Sequence, residues 1–219
     1  MRDPSSEVQT AVSPVTPVSA AQYGSDVIVD ILRELKIPYA ALNPGASFRG
    51  LHDSLVNYGE GQPPEIVLCC HEEIAVAMAH GYARVTGRPM AAALHNVVGL
   101  QHATMAIFNA WCDQVPVLLL GGTGPMDSEK RRPWIDWVHT ALVQGNQIRD
   151  YVKWDDQPAS VEAIPESLLR AYRIAMMEPR GPVYVCFDST LQEQELVSPV
   201  AIPDPERFSP PSPPAPAPD

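Results

Sequence analysis

Residues 66–89, IVLCCHEEIAVAMAHGYARVTGRP, decide the fold. The stretch opens on an apolar run of strand length, passes through two glutamates and continues with alanine at positions 75, 79 and 83. That pattern predicts a buried strand followed by a helix, which Gly87 stops. A carboxylate at a helix N-terminus is favoured by the macrodipole whether or not it does chemistry. Two of them, at the end of a buried strand, ask for a further reason.

The same alternation runs outward from this corner. SDVIVDILRELK (25–36) sets Val27, Ile31, Leu32 and Leu35 at helical spacing behind a Ser25 cap, and YAALNPG (39–45) is a strand closed by a Pro-Gly turn. FRGLHDSLVNY (48–58) predicts a helix, EIVLCC (65–70) a strand, MAAALHN (90–96) a strand, QHATMAIFNAWCD (101–113) a helix and VPVLLLGG (115–122) a strand. After a less regular stretch to Asp156, VEAIPESLLRAYRIAMM (161–177) predicts a helix and GPVYVCF (181–187) a strand.

Strands that are apolar throughout are buried on both faces, as in parallel sheets covered by helices. The predicted fold is therefore α/β, a doubly wound parallel sheet with helices on both faces. Ligands of such sheets sit beyond the carboxyl ends of the strands. Here those ends read NPGAS, CCHEE, LHNVVG and GGTGP.

At 219 residues the chain is long enough for one well-cored domain. Pro-, Ser- and Ala-rich ends place that domain at 23–192, between a disordered arm (1–22) and a Pro-rich disordered tail (193–219). With 26 acidic and 15 basic residues the formal charge is −11, which argues against nucleic acid or an anionic membrane as partner. The one basic knot, EKRR at 129–132, reads as a solvated loop. Cys69, Cys70, Cys112 and Cys186 lie in apolar stretches without C-x-x-C spacing and read as reduced core residues of a cytoplasmic protein. No apolar run is long enough to span a bilayer, and no secretory leader is recognised.

Several chemistries drop out at the four corners. G-x-G-x-x-G, the P-loop, G-x-S-x-G and H-E-x-x-H are all missing, and HEEIA breaks the last of these at its final position. What remains is a carboxylate at one strand-to-helix corner, with His95 and Gly99 at the next.

Taken in order, NPGASF (43–48), HEEIAVAMAHGYARVTGRP (71–89), LHNVVGLQHATMAIFNAWCDQVPVLLLGGTGP (94–125) and EPRGPVYVCFD (178–188) resemble the pyrimidine-binding (PYR) domain of thiamine-diphosphate enzymes. The group is that of acetolactate synthase, benzoylformate decarboxylase and pyruvate decarboxylase. The resemblance implies that Glu72 hydrogen-bonds N1′ of the cofactor's aminopyrimidine and so promotes the ylide at C2 of the thiazolium. A carboxyl that shares a proton with a weakly basic ring nitrogen works best in an apolar surround. The run before Glu72 and the alanines of its helix would supply one, and the alanine stripe is expected to pack against a partner subunit. Glu73 lies about 100° further round the helix and faces solvent or the partner.

The resemblance further implies a pocket edged by Pro44, Gly45 and Gly99 on the cofactor side, with Ala46, His95 and Gln101 towards substrate. His95 either moves protons on substrate or is a satisfied structural histidine, and the residues leave both open. His71 is expected to fix the corner by hydrogen bonding. Ala46 stands where the benzoylformate enzyme has a hydroxyl residue.

Members of the group hold diphosphate and Mg²⁺ in a second domain marked by G-D-G and a downstream Asn, and this sequence contains no G-D-G. The expectation is thus a PYR subunit of a split 2-oxo acid decarboxylase or carboligase. Its partner would carry the G-D-G…Asn motif, in an α2β2 assembly such as sulfopyruvate decarboxylase adopts. An aldehyde is a possible second substrate. The alternatives are a truncated single-chain enzyme resembling acetolactate synthase, and a catalytically silent regulatory or interaction subunit, which would not need Glu72.

Overall fold

The computed structural model describes residues 20–211. The expectations for 1–19 and 212–219 lie outside the described residues. Helix α1 (Gly24–Glu34) leads into β1 (Tyr39–Leu42), α2 (Arg49–Val56) and β2 (Glu65–Leu68). Then come α3 (Glu72–Thr86), β3 (Ala91–Leu94), α4 (Val98–Cys112) and β4 (Leu118–Thr123). A long connection holding α5 (Ile135–His139) reaches the two-residue β5 (Asp155–Asp156), and α6 (Ile164–Met176), β6 (Val183–Asp188) and α7 (Ser189–Gln192) close the domain.

All six strands are parallel, in the order β2-β1-β3-β4-β6-β5. Alternate residues of each strand feed opposite faces. Ala40, Leu42, Ala91, Ala93, Leu118 and Leu120 join a core with α1, α2 and α6. Ala41, Ala92, Leu94 and Leu119 join a second core with α3 and α4. The fold is the expected doubly wound α/β sheet. Its strand order reverses at β1, which has β2 on one side and β3 on the other, so the crevice between the ends of β1 and β3 is where a ligand belongs.

Several local expectations are corrected by packing. Ser25 is not the cap of α1: Tyr23 occupies that position, and the Asp26 carboxylate accepts from the N–H groups of Gln22 and Tyr23 while Ser25 is buried against the Ser54 hydroxyl. β2 is an edge strand with Leu68 69% exposed, so its apolar composition is not matched by cover on both faces. Cys70 and Cys112 are exposed, and of the four free cysteines Cys69 and Cys186 alone are buried. The segment after 192 is not a loose tail as far as it is described: Val200 and Ile202 are buried, and Phe208 packs against the same core. Pairing of Tyr23 with Glu195 ties this segment to the start of the domain.

The alanine stripe of α3 also differs from expectation. Ala75, Ala79 and Ala83 are buried within the chain itself, the first two in its second core, where their small side chains let α3 lie close to α4 and the sheet. What α3 and α4 leave exposed is bulkier: Ile74, Met78, Met105 and Phe108. The EKRR knot is likewise occupied. Arg131 donates to the Pro125 carbonyl and lies over the Trp137 ring, and Arg132 is paired with buried Asp136.

Candidate active site

β2 ends one turn before a helix. His71 is extended (φ −160°, ψ 145°), and its Nδ1 accepts the Glu73 N–H at 3.2 Å, which caps α3. His71 therefore fixes the corner as expected. Because Nδ1 accepts, the ring hydrogen of the capped, neutral form sits on Nε2.

This cap makes Glu72 the first residue of α3 and turns its carboxyl inward, where it is 5% exposed. Asn43, directly after β1, donates its Nδ2–H to Glu72 Oε1 at 3.3 Å. The helix N-terminus and one amide thus hold a buried carboxyl that keeps acceptor capacity to spare. Glu73 is exposed, as its phase on the helix requires.

The β3 corner is pinned from two sides. Asn96 N–H donates to Ser47 Oγ at 3.0 Å, linking it to the β1 corner. Val97 has φ 49° and ψ −71°, a costly conformation for a β-branched residue. It is held there by buried Gln144, whose Oε1 accepts the Val97 N–H at 2.6 Å and whose Nε2 donates to the Gly122 carbonyl at 2.9 Å.

The strained turn brings the start of α4 against Glu72. A Cβ at Gly99 would lie 3.0 Å from Glu72 Oε1 and 2.9 Å from His95 Cβ, and one at Gly45 would lie 2.3 Å from His95 Cδ2. Only glycine permits both approaches.

His95 itself is half-buried, with Nδ1 3.1 Å from the Asn96 carbonyl and its ring edge-on to His139 at 5.7 Å. A carbonyl can only accept, so this contact puts the hydrogen on Nδ1 and leaves Nε2 with its lone pair. Beside it, the buried Asn96 Oδ1 has no hydrogen-bond partner among the described residues.

His102, on the first turns of α4, approaches Glu72 from the other side. Its Nδ1 is 3.7 Å from Glu72 Oε2, and its ring stacks on His71 at 4.7 Å and 15°. His71, Glu72 and His102 present ligand atoms within 4.8 Å of one another, the spacing of a metal centre. The stacking opposes that use. Imidazole lone pairs lie in the ring plane, and two nearly parallel planes do not meet at one ion. The Nδ1 lone pair of His71 is also committed to the cap.

Glu72, His95, Gly45 and Gly99 therefore meet at one place, beside the crevice between β1 and β3. Pro44 and Ala46 are exposed on its rim. Gln101 is exposed on α4, and its neighbour His102 is the residue that reaches Glu72. Sequence reasoning missed Asn43 and His102, although both lie inside the motifs quoted above and Asn43 directly follows a strand. Gln144 and His139, in the irregular connection after β4, carried no sequence signal.

A doubly wound parallel sheet with a buried carboxyl, a histidine and two glycine-thinned backbone edges beside its reversal point defines a ligand-binding α/β domain. The chain belongs to the family described as thiamine pyrophosphate enzyme, N-terminal TPP binding domain, whose model matches residues 22–149.

A benzoylformate decarboxylase of Pseudomonas aeruginosa is 29% identical over 119 residues, covering 54% of this chain and 22% of that protein. An acetolactate synthase of Bacillus subtilis is 27% identical over 164 residues, covering 75% and 27% respectively. Among solved structures, one described as a thiamin diphosphate-dependent enzyme from Mycobacterium smegmatis superposes with TM-score 0.69 at 26% identity, covering 84% of this chain and 34% of that one. Benzoylformate decarboxylase from Polynucleobacter necessarius matches with TM-score 0.69 at 24% identity, covering 80% and 32%, a likeness of fold. The chain thus spans roughly a quarter to a third of the lengths of these relatives.

Proposed function

We propose that this chain is the PYR subunit of a split thiamine-diphosphate-dependent decarboxylase or carboligase acting on a small 2-oxo acid, with Glu72 as the carboxyl that exchanges a proton with the cofactor's aminopyrimidine. One observation carries the reading: Glu72 is a buried carboxyl at a helix N-terminus, steadied by Asn43 and approached by glycine backbone at Gly99. Such a cradle fits a weakly basic heteroaromatic ring better than a phosphate or a metal, because it offers one carboxyl that can share a proton and neither a cluster of cationic donors nor converging ligand lone pairs.

When bound, thiamine diphosphate supplies a carbon nucleophile that adds to the carbonyl of a 2-oxo acid. The rest falls to this chain's residues. Glu72 holds or releases the proton, Asn43 orients the carboxyl, and Pro44, Gly45 and Gly99 form the edges against the cofactor. His95, through Nε2, moves protons on the substrate side, where Ala46 and Gln101 complete the rim.

Diphosphate and Mg²⁺ are assigned to a partner subunit with a G-D-G…Asn motif, in an α2β2 assembly in the cytoplasm. The exposed Ile74, Met78, Met105 and Phe108 of α3 and α4 support association with another domain. Free cysteines accord with a reducing compartment, and no described helix is long and apolar enough to cross a membrane. A second reading, the first domain of a longer single-chain enzyme, is supported by the partial coverage of the relatives. The mass of the native polypeptide distinguishes the two.

Calorimetry tests the proposal. The isolated chain is expected to bind thiamine diphosphate and Mg²⁺ feebly and to turn over no 2-oxo acid, and the complex with its partner to do both. Tight binding or turnover by the isolated chain would overturn the split-site assignment.

A further inference from the structure

The Glu72 side chain is 7% exposed, yet a group that exchanges protons through a catalytic cycle needs a route to water. Oε1 is taken by Asn43. His71 is tied up as the helix cap through Nδ1. Oε2 faces His102 Nδ1 at 3.7 Å, and in the isolated chain the His102 side chain is 49% exposed, so there one ring spans the distance from the buried carboxyl to solvent. Stacking on His71 sets the plane in which that ring turns.

We propose that His102 is the positioning residue that carries protons between solvent and Glu72; this role rests on the function assigned to Glu72 above. A carboxylate oxygen can only accept, so the imidazole presents Nδ1–H to Oε2. A small rotation of the half-exposed side chain shortens 3.7 Å to hydrogen-bond length. The Nδ1 proton passes to Oε2 while Nε2 takes one proton from water or a buffer acid. One proton enters, one is delivered, and the ring stays neutral with its hydrogen on the other nitrogen. The reverse sequence discharges Glu72.

Two measurements test this. Nitrogen-15 NMR of the isolated, neutral-histidine chain should place the His102 hydrogen on Nδ1, against the usual preference of free imidazole for the Nε2–H form. A hydrogen on Nε2 would overturn the proposal without touching the assignment of Glu72.

In the assembled complex with thiamine diphosphate, His102→Asn should slow exchange of the cofactor's C2 proton with deuterated solvent by about 10-fold or more, less than the roughly 10²- to 10⁴-fold of a group that acts directly as acid or base, because His102 acts through Glu72. Added imidazole should restore much of the rate, while cofactor affinity and melting temperature stay near wild type. Exchange by His102→Asn at the wild-type rate, or a slow variant that imidazole does not rescue, would overturn the role. Absence of exchange in the wild type would instead overturn the function, and the conduit with it.

Discussion

Asn43 Nδ2 donates to Glu72 Oε1 across 3.3 Å, so the end of β1 holds the carboxyl that begins the helix after β2. The bond matters because β1 is the strand at which the sheet's strand order reverses. Glu72 is thereby held at the end of β1, and the turn at strained Val97 brings Gly99 against the carboxyl.

Gly99 should be intolerant of even one methyl. A Cβ there would meet His95 Cβ at 2.9 Å and Glu72 Oε1 at 3.0 Å, so Gly99→Ala must displace a site residue. Stability is expected to fall by about 1–3 kcal/mol, as for modest overpacking, and C2 proton exchange in the assembled complex to fall at least 10-fold. Thermal melting and the exchange assay check the two together.

His95→Ala in the assembled complex should lower turnover by roughly 10²-fold or more and leave cofactor affinity nearly unchanged. Its ring is held by the Asn96 carbonyl and His139, contacts that orient it without burying it completely. Equal losses of stability and activity would mark it as structural. Steady-state kinetics beside a melting curve separates the outcomes.

Most of the sheet was legible because Ala91–Leu94 and the run from Val183 to Phe187 are apolar or aromatic at every buried register. β2 reads the same way in sequence, but whether both faces are covered depends on neighbours that composition does not name. The alanine stripe was seen, and its direction was not: small residues signal close approach, and only the packed structure says that α4 and the sheet make it. Glu72 was legible from its corner and from the ordered motifs around it. His102 was not, because its contact depends on the phase of one helix against another. Gln144 lies 47 residues from the Val97 N–H it holds, beyond any local pattern.

Cysteine labelling should follow burial and not sequence context. Cys70 and Cys112 are exposed and are expected to react with a maleimide in the folded protein. Burial pushes the Cys186 thiol up to about 12 and also raises that of Cys69, so both should stay unlabelled until denaturant is added. Mass spectrometry of labelled peptides reads the pattern.

Acid should loosen the connection around α5 through Asp136. Hydrogen bonding to Arg132 holds this carboxyl below its usual range, against the opposing effect of burial. Because the folded value is the lower one, the stabilisation is complete above the unfolded value, near pH 4, and is lost as pH falls through the folded value. Asp136→Asn should cost about 1–3 kcal/mol at pH 7 and flatten this part of the acid limb. Melting temperatures from pH 7 to pH 3 for the two proteins provide the check.

The most direct test of the account separates the two neighbouring glutamates. Glu72→Gln keeps size and much of the hydrogen bonding but removes the shared proton, whereas Glu73 is exposed on another side of the helix. Measured as exchange of the C2 proton of bound thiamine diphosphate with deuterated solvent in the assembled complex, Glu72→Gln should be slower by on the order of 10²- to 10⁴-fold and Glu73→Gln close to wild type. Wild-type exchange by Glu72→Gln, or slow exchange by Glu73→Gln, would contradict the assignment of the proton-exchanging carboxyl to Glu72.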